Sequence, residues 1–269
     1  MNYIQSILLG IIEGITELFP VSSTGHMILA AYVMGILENK ITNLFIISVQ
    51  FGAVFSVVFL YRKDFFFQKW NFYLKIFLAS LPVCFFGFLL NRKNNLFLDN
   101  PLVVAISLFI GGFLILKTEN LYEKKNYKKR NNITYFKAII IGLFQCLALI
   151  PGVSRSATTI VACMLQNVNR KETIEFSFFL SVPVIIIATC KKLFDYYYFK
   201  VDYLFFDFYL FFKEIELLLL GNIAAFFTAI ITIKCFITYL NNFKLFGYYR
   251  IFLGIFFIIL HYFKPIVKY

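Results

Sequence analysis

The sequence predicts an all-α integral membrane protein, and its composition, its long apolar stretches and its two interrupted stretches predict this class. Of the 269 residues, 61% are hydrophobic and 15% are charged, and the mean hydropathy is +0.79. Soluble domains are usually about 45–50% apolar and about 25% charged. So few charged residues do not cover the surface of a water-soluble globule. This excludes soluble enzymes, disordered chains and secreted disulfide scaffolds.

Six apolar stretches are long enough, or nearly so, to cross a bilayer as helices. Such a crossing takes about 20 residues, with roughly 17 as the lower limit. The stretches are Leu44–Tyr61, Leu74–Leu90, Leu102–Leu116, Ile174–Cys190, Ile215–Tyr239 and Phe246–Phe263. The sequence therefore predicts about six transmembrane helices.

Two further apolar stretches, Ile4–Ala31 and Phe136–Leu165, are interrupted by polar residues and by a proline. Pro20 and Pro151 end the preceding helical turns, because proline has no amide hydrogen and clashes with the previous turn. Each stretch is therefore predicted to form two short helices joined by an irregular elbow. Irregular backbone at membrane depth must be surrounded by protein or line a cavity. We expect two re-entrant pairs of broken helices.

The two halves of the chain resemble each other, which predicts one polytopic domain over 1–269 with an internal repeat, 1–117 and 136–264. Each half has a broken-helix pair followed by three apolar spans. A basic linker, 118–135, joins them and is expected to be cytoplasmic, because Lys and Arg are enriched in cytoplasmic loops. Counting spans back from it places both termini outside and makes the second repeat inverted. Inverted repeats with broken helices place a ligand site near the bilayer midplane.

The formal net charge of +12 fits such basic loops better than a nucleic-acid interface, so no nucleic-acid partner is expected. The bilayer itself is the predicted surrounding partner. The oligomeric state stays open, with a homodimer as one possibility.

The first elbow carries two carboxylates four residues apart, Glu13 and Glu17, which share one helix face. Paired carboxylates suit a hard divalent cation such as Mg²⁺ or Ca²⁺. Hydroxyl residues after Pro20 are predicted to cap the second short helix, whose N-terminus then suits an anion such as phosphate. These polar residues are Ser22, Ser23, Thr24 and, in the first turn, His26.

The second elbow repeats the arrangement with Ser154 and Ser156 and adds Arg155, which can bind two phosphate oxygens at once. Taken singly, such residues are often caps or surface groups. Four charges at membrane depth, those of Glu13, Glu17, Arg155 and Glu175, would together cost roughly 10–14 kcal/mol. That cost favours a function. The residues indicate metal-assisted hydrolysis of a lipid phosphate.

These segments resemble the undecaprenyl-diphosphate phosphatase family, the bacitracin-resistance type of enzyme. Residues 13–26 read EGITELFPVSSTGH and residues 151–156 read PGVSRS, as the two family motifs do. Residues 144–149, residues 175–183 and Tyr249-Arg250 also match, so the likeness covers nearly the whole chain. It implies hydrolysis of undecaprenyl diphosphate to the monophosphate carrier of peptidoglycan synthesis, in the bacterial plasma membrane, with bacitracin resistance.

The resemblance also implies roles for individual residues. Glu13 and Glu17 correspond to the acidic pair assigned to metal binding or catalysis. Ser23 and His26 are candidates for nucleophile or proton transfer, and water activated by the metal is a third option. The diphosphate would be held by Arg155 and Ser154, with Ser156, Ser22, Thr24 and Gln50 as further polar contacts.

The sequence departs from the family pattern at two positions. Ala157 stands where the second motif usually has glycine, and its methyl group is expected to crowd the approach of the two elbows. Asn43 stands where the family often has glutamate, which leaves Gln50 as the nearest polar group on that span.

A second function remains open from the sequence. Broken helices in inverted repeats are common in alternating-access carriers, so a polyprenyl-phosphate flippase or transporter is the alternative. Such a carrier has less use for the two carboxylates together. A purely structural scaffold is excluded by the cost of the charges.

Overall fold

The computed structural model describes residues 1–89, 101–124, 132–201, 208–238 and 242–263. Within these ranges the chain is helical throughout, with short turns between the helices. The helices are α1 (Tyr3–Thr16), α2 (Ser23–Val33), α3 (Lys40–Ser48), α4 (Gln50–Leu60), α5 (Arg62–Phe66), α6 (Trp70–Leu89), α7 (Pro101–Lys124), α8 (Tyr135–Gln145), α9 (Arg155–Leu165), α10 (Arg170–Val201), α11 (Phe208–Thr238) and α12 (Lys244–Phe263).

Six segments of the described chain are long and apolar enough to cross a membrane, which confirms the predicted number. They are Lys40–Leu60, Trp70–Leu89, Leu102–Lys124, Arg170–Tyr198, Tyr209–Cys235 and Lys244–Phe263. The first consists of α3 and α4, which join at Val49. The predicted span ends Leu90 and Tyr239 lie outside the described residues. The protein is a multi-pass membrane protein.

Both interrupted stretches break where proline predicts. The first breaks between α1 and α2, around Pro20, and the second between α8 and α9, where a 3₁₀ turn, Cys146–Leu149, precedes Pro151. At 1.5 Å per residue, the 14 residues of α1 extend about 21 Å and the 11 residues of α2 about 16 Å. Each is too short to cross a hydrocarbon core of about 30 Å. Their re-entrant path remains a prediction that these lengths favour.

The two broken-helix pairs, α1 with α2 and α8 with α9, are called hairpins here. The first helix of each hairpin packs against a corresponding long helix. Helix α1 lies along α11 and α8 lies along α6, while α7 and α12 pack against each other. A Cβ added at Gly10 would lie 2.3 Å from the Gly221 carbonyl oxygen, and one at Gly142 would lie 2.4 Å from that of Ala79. Both crossings thus need a glycine at the same place. The internal repeat and the inversion of its second copy remain predictions.

Helix α7 extends further than the apolar run indicates, through the first seven residues of the predicted linker 118–135. Glu119 is fully buried and pairs with Arg170, and the Tyr122 hydroxyl donates to the Val168 carbonyl at 2.7 Å. These polar contacts with the α9–α10 connection hold the last turns of α7. Residues 125–131 of the linker lie outside the described part.

Candidate active site

The end of α1 places two carboxylates inside the protein. Glu13 is in the last turn, and Glu17 caps the helix by donating its backbone N–H to the Glu13 carbonyl at 2.9 Å. Glu13 is fully buried and Glu17 is 7% exposed. Side chains four residues apart on a helix lie on one face, so the two carboxyl groups point into the same region.

Glu17 is the point where the two hairpins meet. Its Oε2 accepts a hydrogen bond of 2.5 Å from the Ser23 hydroxyl at the start of α2. Its Oε1 lies 3.3 Å from Nη2 of Arg155, at the start of α9. Arg155 also donates through Nη1 to the Ser177 carbonyl at 3.0 Å, which fixes the plane of the guanidinium. The structure therefore brings these three predicted site residues together.

A second bridge joins the elbows directly. The Ser156 hydroxyl donates to the Phe19 carbonyl at 2.8 Å, and the Ser154 hydroxyl lies 3.1 Å from that of Ser156. Ala157 is buried beside them, and the Arg155–Glu17 contact forms with its methyl group present. We expected from the sequence that the methyl group would crowd the approach of the two elbows. The structure shows that it does not keep them apart.

Each elbow contains a serine with a positive φ. Ser22 and Ser154 have φ values of 71° and 73°, in the left-handed region. Each is the N-cap of the helix that follows: Ser22 accepts from the Gly25 N–H at 3.4 Å and Ser154 from the Ala157 N–H at 3.3 Å. The predicted serine caps are confirmed. Two helix N-termini, with their free amides and positive dipole ends, thus start beside the carboxylates.

Glu13 has no hydrogen-bond donor for either carboxylate oxygen within the described chain, although it is fully buried. A buried carboxylate without a partner is costly. With Glu17 it brings two carboxyl groups, against the single positive charge of Arg155, to a place that is expected to bind an anion. A divalent cation fits this donor set, because it would take the orphaned oxygens and reverse the charge. Among the described residues no cluster of three or more His, Cys, Asp or Glu exists, so water or substrate oxygens would complete its coordination.

His26 makes its hydrogen bonds with groups other than the carboxylates. Its Nδ1 lies 2.8 Å from the Ser22 carbonyl oxygen and its Nε2 lies 2.6 Å from the Tyr249 hydroxyl of α12. Within the described chain, no hydrogen bond or ion pair joins His26 to Glu13, Glu17 or Arg155. The predicted histidine thus lies in the first turn of the same helix as Ser23 but makes no direct contact of this kind with the carboxylates or Arg155.

Three predicted positions lie outside this group. Thr24 and Gln50 are half-buried, and no side-chain hydrogen bond of either is found in the described residues. Glu175, expected to be a fourth charge at membrane depth, is half-buried within the span Arg170–Tyr198. Its side chain is 40% exposed and lies 3.9 Å from Lys171 one turn earlier on α10.

Arg250 is a site residue to which the sequence assigned no role. It is fully buried in the middle of α12, and no carboxylate of the described chain pairs with it. Its guanidinium donates only to carbonyl oxygens: those of Pro20 at 3.3 Å, Ser107 at 3.3 Å, Gly152 at 3.0 Å and Val153 at 3.0 Å. It therefore ties both elbows to α7. A charge inside an apolar span was the available signal.

An apolar groove of about 510 Å³ lies between α1, the first elbow and α12. Its walls include Ile12, Ile15, Phe19, Leu245 and Phe246, and its polar side chains are Thr16, His26 and Tyr249. The Phe19 carbonyl is the group that accepts from Ser156. The groove thus borders the elbows on one side and, through the exposed Ile15 and Leu245, the outer surface on the other.

Six spans, two broken-helix hairpins and a buried group of carboxylates, arginine and helix N-termini define a polytopic membrane protein with a buried polar site. Comparison with known proteins specifies the class further. The chain belongs to the bacitracin resistance protein BacA family, whose model matches residues 6–256. The family resemblance of the motifs is thereby confirmed.

The relatives carry one name. A protein of Flavobacterium psychrophilum named undecaprenyl-diphosphatase is 49% identical over 265 residues, covering 98% of this chain and 97% of the relative. Proteins of the same name in Flavobacterium johnsoniae and Bdellovibrio bacteriovorus are 47% and 42% identical, with 98% and 97% of this chain covered and 97% of each relative. The similarity thus includes both elbows and all six spans.

Proposed function

We propose that this protein hydrolyses undecaprenyl diphosphate to undecaprenyl phosphate and inorganic phosphate in the bacterial inner membrane. This would recycle the lipid carrier of peptidoglycan synthesis and confer bacitracin resistance when the protein is abundant. The observation that carries the proposal is the Arg155–Glu17 contact, which joins both motifs of a family whose relatives are named for this reaction. The basic linker would face the cytoplasm and both termini the outside.

The residues divide into two sets. Arg155 and the starts of α2 and α9 supply positive charge and N–H donors for the diphosphate oxygens. Glu13 and Glu17 would hold a divalent cation, Mg²⁺ or Ca²⁺. When bound, that cation would neutralise diphosphate charge and polarise its oxygens. The Nε–H of Arg155 has no acceptor in the described chain, so it is free to bind a phosphate oxygen.

Ser23 is the nucleophile that the geometry favours over His26 and water, because its hydroxyl already donates to Glu17. In the step we infer, Ser23 Oγ bonds to the terminal phosphorus, its proton passes to Glu17, and the bond to the bridging oxygen breaks. The lipid monophosphate leaves, and water then releases phosphate from the serine. The reaction is run with substrate labelled in the terminal phosphate and then quenched. We expect the label to be recovered on the protein as an acid-stable phosphoserine. An acid-labile adduct would assign the attack to His26 instead.

The groove beside His26 is the place we infer for the prenyl units next to the diphosphate, because its walls are apolar and it borders the elbows. Ile15→Trp should fill it and lower kcat/KM for the C55 substrate by about tenfold. Hydrolysis of a C5 prenyl diphosphate should be unchanged. Leu8→Trp is the matched control, since Leu8 is on the same helix and is 44% exposed, as is Ile15. An equal loss of kcat/KM with both substrates would mean that the prenyl chain binds outside this groove.

The proposed hydrolysis is tested by phosphate release from C55-prenyl diphosphate by the purified protein, with and without EDTA. Metal-dependent release is expected, and Glu17→Ala should abolish it in a folded protein. Release that EDTA leaves unchanged would remove the cation from the mechanism. Transfer of lipid between leaflets without phosphate release would support the flippase alternative, which the relatives' names do not favour.

A further inference from the structure

His26 is held at both ring nitrogens, by two different parts of the chain. Nδ1 lies 2.8 Å from the Ser22 carbonyl oxygen in the first elbow. A carbonyl oxygen only accepts hydrogen bonds, so Nδ1 must carry the hydrogen. In the neutral ring Nε2 is then the nitrogen with the free lone pair. The atom of His26 that can take up a proton is therefore Nε2.

The partner of Nε2 is the Tyr249 hydroxyl, at 2.6 Å. The two rings are stacked, with their centroids 5.6 Å apart and an angle of 7° between their planes. A hydroxyl both donates and accepts. It donates to Nε2 when His26 is neutral and accepts from it when His26 is protonated. Tyr249 is thus a partner for both forms of the imidazole that proton transfer would create.

The position of Tyr249 is fixed by its neighbour in sequence. Arg250 is fully buried and donates to carbonyl groups of both elbows and of α7. This anchor holds the turn of α12 that presents the tyrosine to His26. Tyr249 is itself 43% exposed and lines the apolar groove, so its hydroxyl stands between the groove and Nε2.

We propose that Tyr249 is a positioning residue for His26. The Ser22 carbonyl fixes the tautomer with hydrogen on Nδ1, and the Tyr249 hydroxyl holds Nε2 on the groove side of the elbow. When water releases phosphate from Ser23, His26 takes the proton of the attacking water at that nitrogen and passes it to the released phosphate, while Glu17 returns its proton to the serine oxygen. The proposal rests on the proposed hydrolysis for its kinetic consequence, whereas the tautomer itself is independent of any activity.

Tyr249→Phe removes the hydroxyl and keeps the stacked ring. We expect kcat to fall by about 10- to 100-fold, with KM within about threefold, because substrate contacts at Arg155 remain while proton transfer is disordered. Tyr248→Phe is the matched control. Tyr248 is the adjacent residue on α12, is 61% exposed, and its hydroxyl has no hydrogen bond within the described chain. A kcat for Tyr249→Phe equal to that of the control would overturn the proposal.

The tautomer is measured by ¹⁵N NMR. The chain has two histidines, so His261→Gln leaves His26 as the single signal. With Tyr249 present, neutral His26 should give the pattern of hydrogen on Nδ1, and Tyr249→Phe should keep that tautomer but shift the Nε2 resonance, because the hydroxyl that donates to Nε2 is lost. An unchanged Nε2 resonance in the variant would also overturn the proposal. Hydrogen on Nε2 in the Tyr249-containing protein would overturn the proposal even if the variant failed to fold. If neither protein released phosphate, the proposed hydrolysis would fail while the NMR result still decided the role of Tyr249.

Discussion

Nη2 of Arg155 lies 3.3 Å from Oε1 of Glu17, although 138 residues separate them along the chain. Each residue belongs to a different broken-helix hairpin. The contact is therefore a tertiary joint between the two halves as well as part of the site. Because both groups are nearly buried, changing either alters the charge of the other's surroundings.

Arg155→Lys should test this joint. A lysine has no planar fork, so it cannot reach the Ser177 carbonyl and Glu17 together and still present a donor to phosphate. We expect kcat/KM for phosphate release to fall by about 10²–10³-fold. Arg62→Lys, at an exposed position on α5, is the control and should keep full activity. If kcat/KM of the Arg155→Lys variant stayed within tenfold of that of the unmodified protein, the geometry of the guanidinium group would not be needed for phosphate release.

Glu13→Gln should separate stability from activity. The carboxylate of Glu13 is buried without a donor, so neutralising it should stabilise the cation-free protein. A gain of about 1 kcal/mol corresponds to a rise in Tm of about 2–4 °C. Phosphate release should fall at least about 100-fold, since the carboxamide brings no charge to the cation.

The measurement for Glu13→Gln is thermal unfolding in detergent with EDTA, followed by the activity assay with divalent cation. Glu38→Gln, at an exposed position, should change neither quantity. A lower Tm for Glu13→Gln would mean that the carboxylate has a partner in the folded protein.

The left-handed backbone of the elbows predicts an unusual order of stability at Ser154. Alanine removes the cap and keeps the strain of a φ of 73°, whereas glycine removes the cap and relieves the strain. We expect Ser154→Gly to be more stable than Ser154→Ala by about 1 kcal/mol, although glycine is the poorer helix former. The same order should hold at Ser22. Thermal unfolding of the four variants decides it, and the opposite order would mean that the elbow backbone relaxes.

The crossing of α8 and α6 should not tolerate a methyl group. Gly142→Ala would place a Cβ 2.4 Å from the Ala79 carbonyl oxygen, so the helices must separate. We expect a loss of about 1–3 kcal/mol in unfolding free energy. Gly87→Ala, on α6 itself, meets only Leu149 at 3.4 Å and should be neutral or stabilising. Equal Tm values for the two variants would contradict the close packing.

The sequence predicted the six spans and both helix breaks because hydropathy and proline act locally. It also predicted the serine caps and the grouping of Glu17, Ser23 and Arg155, since both motifs resemble one family. It could not predict where the His26 ring points, because that depends on Tyr249, which lies 223 residues further along.

The role of Arg250 could not be predicted from the sequence either. Its partners are carbonyl groups, which every residue has, so no side-chain pattern marks them. Only the folded arrangement shows that the guanidinium satisfies four carbonyls at two elbows and α7.

That arrangement has a consequence for biogenesis. Arg250 belongs to α12, near the end of the chain. A nascent chain therefore contains both motifs long before it contains the guanidinium group that links the Pro20 and Gly152 carbonyls. The elbows can meet early, but they are locked only after synthesis has passed residue 250. The hydrolytic centre would then be the last part of the protein to mature. A ribosome stalled before this point would leave a membrane-inserted polypeptide with every reactive side chain and no working catalyst.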